Sequence, residues 1–175
     1  MGLALHNLDQ KTRSLMIEEI EADIKGRGLY VSNYLNDRGA NRWSDLLIDS
    51  ARSGTDDTLA AELAVEQCFK DKVERKKPKG GFTMAAVPHT ANQTLAESQF
   101  NMYYMRALAR RAGDEGLSLI VYRAKAVEHP RPESEAMIGN KLDPKEVLNV
   151  LRETKGVEPS INIPLPNSGL SIRLT

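Results

Sequence analysis

The chain of 175 residues has one cysteine, one tryptophan and three histidines, and only 5% of it is aromatic. Cys68 has no partner for an internal disulfide and no neighbour that would make it a nucleophile, so a reducing interior is its natural setting. His6, His89 and His129 stand far apart, and none has a ligand-type neighbour at helical spacing, which excludes the usual zinc patterns. No apolar run approaches the ~20 residues that a membrane helix needs, so no membrane partner is expected. The first residues lack the apolar core of a signal peptide. Met1-Gly2 fails the myristoylation pattern, because His6 stands where Ser or Thr is required. Phosphate-cradling glycine loops are missing too, and Asn167-Ser168-Gly169 is no nucleophile elbow. No metal or cofactor is implied.

Charge of one sign is also absent: 24 basic residues cancel 24 acidic ones. A protein that coats DNA needs a cationic surplus. Neutrality instead removes repulsion between copies and favours association. With 41% hydrophobic and few aromatic residues, the chain fits one domain whose core leans on Leu, Ile, Val, Ala and Met.

What is present reads as mostly helix. Asp9 caps a first helix running to about Lys25, with Leu15, Met16, Ile20 and Ile24 as its apolar stripe. Leu29 to Leu35 is a short apolar patch with Ser32 as a cap. A second helix spans Asn41 to Ser53, with Trp43, Leu46, Leu47 and Ala51 inward and Gly54 as C-cap. Thr55 caps a third, to about Cys68, with Asp56 and Asp57 suited to the helix dipole. Thr94-x-x-Glu97 matches a capping box and opens the longest helix, to about Ala112. Leu117 to Arg123 reads as a strand, with two β-branched residues and a tyrosine. A short helix follows from Pro132 to Ile138, and Asp143-Pro144 starts another that ends near Gly156. The expected fold is α+β, mostly helical with a small sheet: residues 1–156 form one domain, and residues 157–175 a long extended tail.

Three segments carry the functional expectations. Pro159, Pro164 and Pro166 forbid a helix in the tail. Its Ile161, Ile163 and Leu165, then Leu170, Ile172 and Leu174, alternate as an apolar ribbon. Such a ribbon either lies on its own domain or adds a strand to a neighbouring subunit, and the second option is the expected one. The basic run holds Lys70, Lys72, Arg75, Lys76, Lys77 and Lys79 around two acids, ends at Pro78 and a Gly pair, and reads as an exposed loop or hairpin arm. Phe82 to Val87 reads as the strand after it. The arm suits an acidic protein surface or phosphates. On the longest helix, Tyr103, Arg106 and Arg110 share one flank, where they suit a subunit interface or a nucleic acid. Asp57 followed by Glu74-x-Lys76 has the outline of a metal-dependent nuclease pattern. Its Glu-x-Lys lies in the cationic run rather than on a core strand, so an enzyme is the least expected class.

The opening LHNLDQKTRSLMIEEIEADI, the middle RKKPKGGFT and TLAESQFNMYYMRALARRA, the segment VYRAKAVEHPRPESEAMIG and the ending PNSGLSIRL resemble a family met in tailed phages and bacterial prophages. The resemblance covers more than half of the chain and brings no catalytic motif. It implies a virion protein, made in the bacterial host cytoplasm, similar in size and layout to capsid-associated and head-to-tail connector proteins. Such a protein forms homo-oligomers and docks on another virion protein, with packaged DNA a further possible contact. The alternative is a nucleic-acid-binding accessory or regulatory protein.

Overall fold

The computed structural model describes residues 1–175 and shows an α+β fold of six helices and two small antiparallel sheets. In chain order the elements are α1 (Gln10–Lys25), α2 (Asp37–Ser53), α3 (Asp56–Val65), β1 (Lys72–Lys76), β2 (Phe82–Ala86), α4 (Ala91–Glu115), β3 (Leu119–Arg123), α5 (Pro132–Met137), β4 (Lys141–Leu142), α6 (Pro144–Thr154) and β5 (Leu170–Leu174).

Helix α4 is the axis of the molecule. A helix with apolar side chains on every side of its circumference is buried on all sides, and any polar residue among them needs an internal partner. From Phe100 to Ala109 every residue of α4 is buried, among them Met102, Tyr103, Tyr104, Met105, Ala107 and Leu108. Helices α1, α3 and α6 surround it, and β5 covers a further side. Helix α2 packs on α1 and α3 and adds Trp43, Leu46 and Leu47 to the same core. The buried Trp43 indole stays satisfied, because its Nε1–H donates to the Tyr30 carbonyl at 2.8 Å.

Local start signals explain most helix boundaries. Asp9 accepts from the Thr12 amide, Asn36 from Gly39, Asp143 from Glu146, and Thr55 and Thr58 form a reciprocal capping box. Helix α2 therefore begins at Asp37, a turn before the expected Asn41, because Asn36 supplies the cap. Helix α3 ends at Val65 rather than Cys68: Gln67 takes φ +53° and turns the chain into an isolated bridge between Leu35 and Phe69. The Leu29–Leu35 patch forms no helix; Ser32 Oγ accepts from the Tyr34 amide in a turn. The Thr94-x-x-Glu97 box does not open α4. The helix already starts at Ala91, the Thr90 side chain makes no cap bond, and Glu97 pairs with Lys125 instead.

The C-terminal residues form no extended tail. After a turn-rich stretch, β5 pairs antiparallel with β3 of its own chain, in the register Leu119↔Leu174 through Arg123↔Leu170. Strand β4 pairs on the other side of β3, so the sheet order is β4-β3-β5. Leu170 and Ile172 are wholly buried and Ile163 is 4% exposed, which places the apolar ribbon on the domain core. Asn101 of α4 holds it there: its Nδ2 donates to the carbonyls of Pro166 and Leu170 at 2.9 and 2.8 Å, and its Oδ1 accepts from Ser171 Oγ. Leu165 and Leu174 are half-buried, and only Ile161 stands free.

Candidate functional site

The basic run forms a hairpin. Strands β1 and β2 pair from Lys72↔Ala86 to Lys76↔Phe82 and pack chiefly on each other. The tip turns through Lys77-Pro78-Lys79-Gly80, with the Gly80 amide donating to the Lys77 carbonyl at 3.1 Å. Proline fits the second position of this turn. Gly80 and Gly81 take φ of +93° and +76°, a region that suits glycine alone without strain.

The root of the hairpin is clamped. Asn36 Nδ2 donates to the carbonyls of Gln67 and Phe69, the Lys70 amide donates to Tyr34, and the Val87 amide donates to Asp71. Beyond that root only Val73 and Ala85 are half-buried, and every other residue of the two strands is exposed. Residues opposite each other in an antiparallel pair share a face. One face therefore carries Lys72, Glu74 and Lys76 with Ala86, Met84 and Phe82. Phe82 is 62% and Met84 60% exposed, so this face mixes two large apolar side chains with lysines. None of the six cations from Lys70 to Lys79 takes part in an ion pair. The Lys70 ammonium instead donates to the Asn33 carbonyl. The arm is thus a fixed, solvent-facing projection with unspent charge and unspent apolar surface.

The flank expected as an interface lies mostly inside. Tyr103 and Arg106 are wholly buried on α4 and meet two acids of α1. Arg106 donates to Glu19 Oε2 at 2.8 and 2.6 Å and to Asp23 Oδ2 at 2.6 Å, and the Tyr103 hydroxyl donates to Asp23 at 2.8 Å. Arg152 of α6 reaches Glu19 at 2.6 Å, and Lys155, just past α6, reaches Asp23 at 3.1 Å. Arg110 sits at the rim, with Glu18 at 2.7 Å and Glu19 at 3.3 Å. Burial pushes the Glu19 and Asp23 carboxyls up. The arginines bonded to them outweigh that, and both are held below the usual carboxylate range. The cluster ties α1, α4 and α6 together. It leaves Tyr103 and Arg106 no surface to offer a partner, and Arg110 little. Sequence spacing showed the shared flank but not the acids on α1, which lie more than eighty positions earlier in the chain.

Asp57 and Glu74 are not brought together. Asp57 lies in the first turn of α3 and accepts from the Gly2 amide at 2.6 Å, whereas Glu74 lies on the arm opposite Met84. No group of three or more His, Cys, Asp or Glu side chains is placed to hold a metal ion. Cys68 is buried, and burial pushes its thiol up. His89 and His129 are exposed on separate segments, and His6 lies against the Tyr122 ring. No helix is long and apolar enough to cross a membrane. No family model matches the chain, and comparison with curated proteins and with solved structures returns no match.

Proposed function

We propose that this protein is a docking subunit of a bacteriophage particle, of the capsid-associated, connector or neck type, and that it acts by binding other proteins rather than by catalysis. The hairpin arm Lys72–Ala86 is the docking element. One observation carries the reading: the arm projects from a clamped root with its cations unpaired and with Phe82 and Met84 in water. An exposed two-stranded ribbon contributes little to its own stability, so its surface is better explained by a partner than by the fold. A face that sets Lys72 and Lys76 beside Phe82 and Met84, with Glu74 its one acid, matches a largely acidic protein surface with an apolar centre. The virion setting rests on the resemblance of the quoted segments to the phage and prophage family. The C-terminal strand is not the docking element in this reading, since one of its edges and its apolar face are already used within its own domain.

The test is incorporation into particles. In cells producing the phage, the complete chain should co-purify with particles. A chain in which residues 72–86 are replaced by a short Gly-Ser turn should be made and folded but left out. Equal incorporation of both proteins, or of neither, overturns the reading.

A second reading has its own support in the tip, where Arg75, Lys76, Lys77 and Lys79 lie close together without acidic partners. Such a cluster suits phosphates. If DNA is the target, affinity falls steeply with salt, and Lys76→Gln with Lys77→Gln flattens the slope. Arg110 adds nothing to that surface, because Glu18 and Glu19 already hold it.

A further inference from the structure

The neutral chain is not neutral piece by piece. The arm region, residues 70–81, holds six cations and two acids. Residues 37–66, which form α2 and α3, hold seven acids and three arginines. The rest of the chain is close to balanced. Two segments adjacent in sequence therefore carry opposite and matching excesses, and no ion pair joins them within the molecule. The clamped root explains this. With Asn36, Tyr34 and Asp71 fixing both ends, the arm extends about 17 Å per strand and packs chiefly on itself rather than on α3.

The acidic helices present a usable face. Asp37, Asp45, Asp49, Asp57 and Glu62 are exposed; Asp45 and Asp49 form exposed pairs with Arg42 and Arg52 of their own helix, Asp57 accepts from the Gly2 amide, and the segment keeps its acidic excess. On α3 they border an apolar strip of Ala61, Ala64 and Val65, with Val65 78% exposed. The arm offers the complement on both counts: lysines for the acids, and Phe82 and Met84 for the strip.

We infer that the occupant of the α2–α3 face is the arm of a second copy of this chain. The contact joins two different surfaces, so two copies exchange arms about a two-fold axis or successive copies join head-to-tail, which gives a ring where the rotation closes and a filament where it does not. The inference rests on the docking reading above and names one partner for the arm. Attraction of this kind steers encounter and weakens as salt screens it.

Mass measurements on the purified chain across concentration and salt test it, using two charge-reversed forms. One carries Lys76→Glu, Lys77→Glu and Lys79→Glu; the other carries Asp45→Lys, Asp49→Lys and Glu62→Lys. All six positions are exposed, and circular dichroism verifies that each form is folded. The unaltered chain should associate at low salt and dissociate at high salt. Each reversed form alone should associate about tenfold more weakly or worse, because like charges then face each other. An equimolar mixture of the two should regain assembly, since each arm then meets a face of opposite sign, and that rescue also rules out misfolding as the cause. An unaltered chain that stays monomeric at low salt overturns the inference. So does association that survives reversal of the arm, or a mixture that stays apart. The docking reading itself stands or falls separately, on incorporation of the armless chain into particles.

Discussion

Arg106 shows how much one side chain can hold. It is 1% exposed, and it neutralises two buried carboxylates on a neighbouring helix. Removing one member of a buried ionic cluster leaves the others charged and unpaired, which is far worse than removing a surface pair. Arg106→Met should therefore cost about 3–5 kcal/mol in denaturant unfolding, whereas Arg52→Met, at an exposed pair with Asp49, should cost under ~1 kcal/mol. The same cluster sets an acid limit. Glu19 and Asp23 titrate lower in the folded chain than in the unfolded one, so the unfolded state takes up protons first as pH falls. Their contribution is complete above the ordinary carboxylate range, about pH 4, and is lost as pH drops through their lowered values. Unfolding free energy measured against pH should fall on the acid side, and Glu19→Gln should flatten that fall. Gly39 is a third sensitive position. A Cβ there would lie 2.1 Å from the Cys68 carbonyl oxygen, which is backbone that also accepts from the Asn36 amide at 3.0 Å. Gly39→Ala should destabilise by about 2 kcal/mol, read from the shift in denaturation midpoint.

At the scale of elements, what could be read from the sequence divides by the distance over which each cause acts. Asp9, Thr55 and Asp143-Pro144 announce helix starts because a cap bonds only three residues ahead, and all three hold. The hairpin is legible for a similar reason, since Pro78 and the Gly pair are local turn chemistry. Thr94-x-x-Glu97 misleads because a four-residue match says nothing about the preceding turn, where Pro88 accepts from the Ala91 amide and starts the helix early. The ending is the clearest case. Alternating Leu170, Ile172 and Leu174 do form a strand, but its partner Leu119–Arg123 lies some fifty residues earlier, and spacing alone cannot choose between an internal and an external mate. Asn101, buried on α4, anchors the internal choice through its bonds to Pro166, Leu170 and Ser171, alongside the β3 ladder and the burial of Leu170 and Ile172. The two strand systems should therefore respond oppositely to change. Replacing residues 72–86 by a short turn should leave the thermal midpoint nearly unchanged, because the arm adds little to the core. Ile172→Ala should cost about 2–5 kcal/mol, because that side chain is wholly buried.

In the whole molecule, the parts that keep the chain folded are distinct from the parts that let it meet others. The core around α4, the ionic cluster and the β4-β3-β5 sheet are held by internal bonds, with Gln99 Oε1 of α4 the one buried side-chain oxygen left without a partner, and Ser118 and Thr175 close the sheet with a pair of bonds. The arm carries cations without ion pairs and two exposed large apolar side chains, and the α2–α3 segment carries a net acidic excess beside the exposed Val65. Hydrogen exchange compared between the free chain and its assembled form tests this division most directly. The account predicts that amides of residues 72–86 exchange quickly in the free chain and are protected on assembly, while those of residues 170–174 are protected in both. Protection that rises on assembly at residues 170–174, with the arm unchanged, would contradict it.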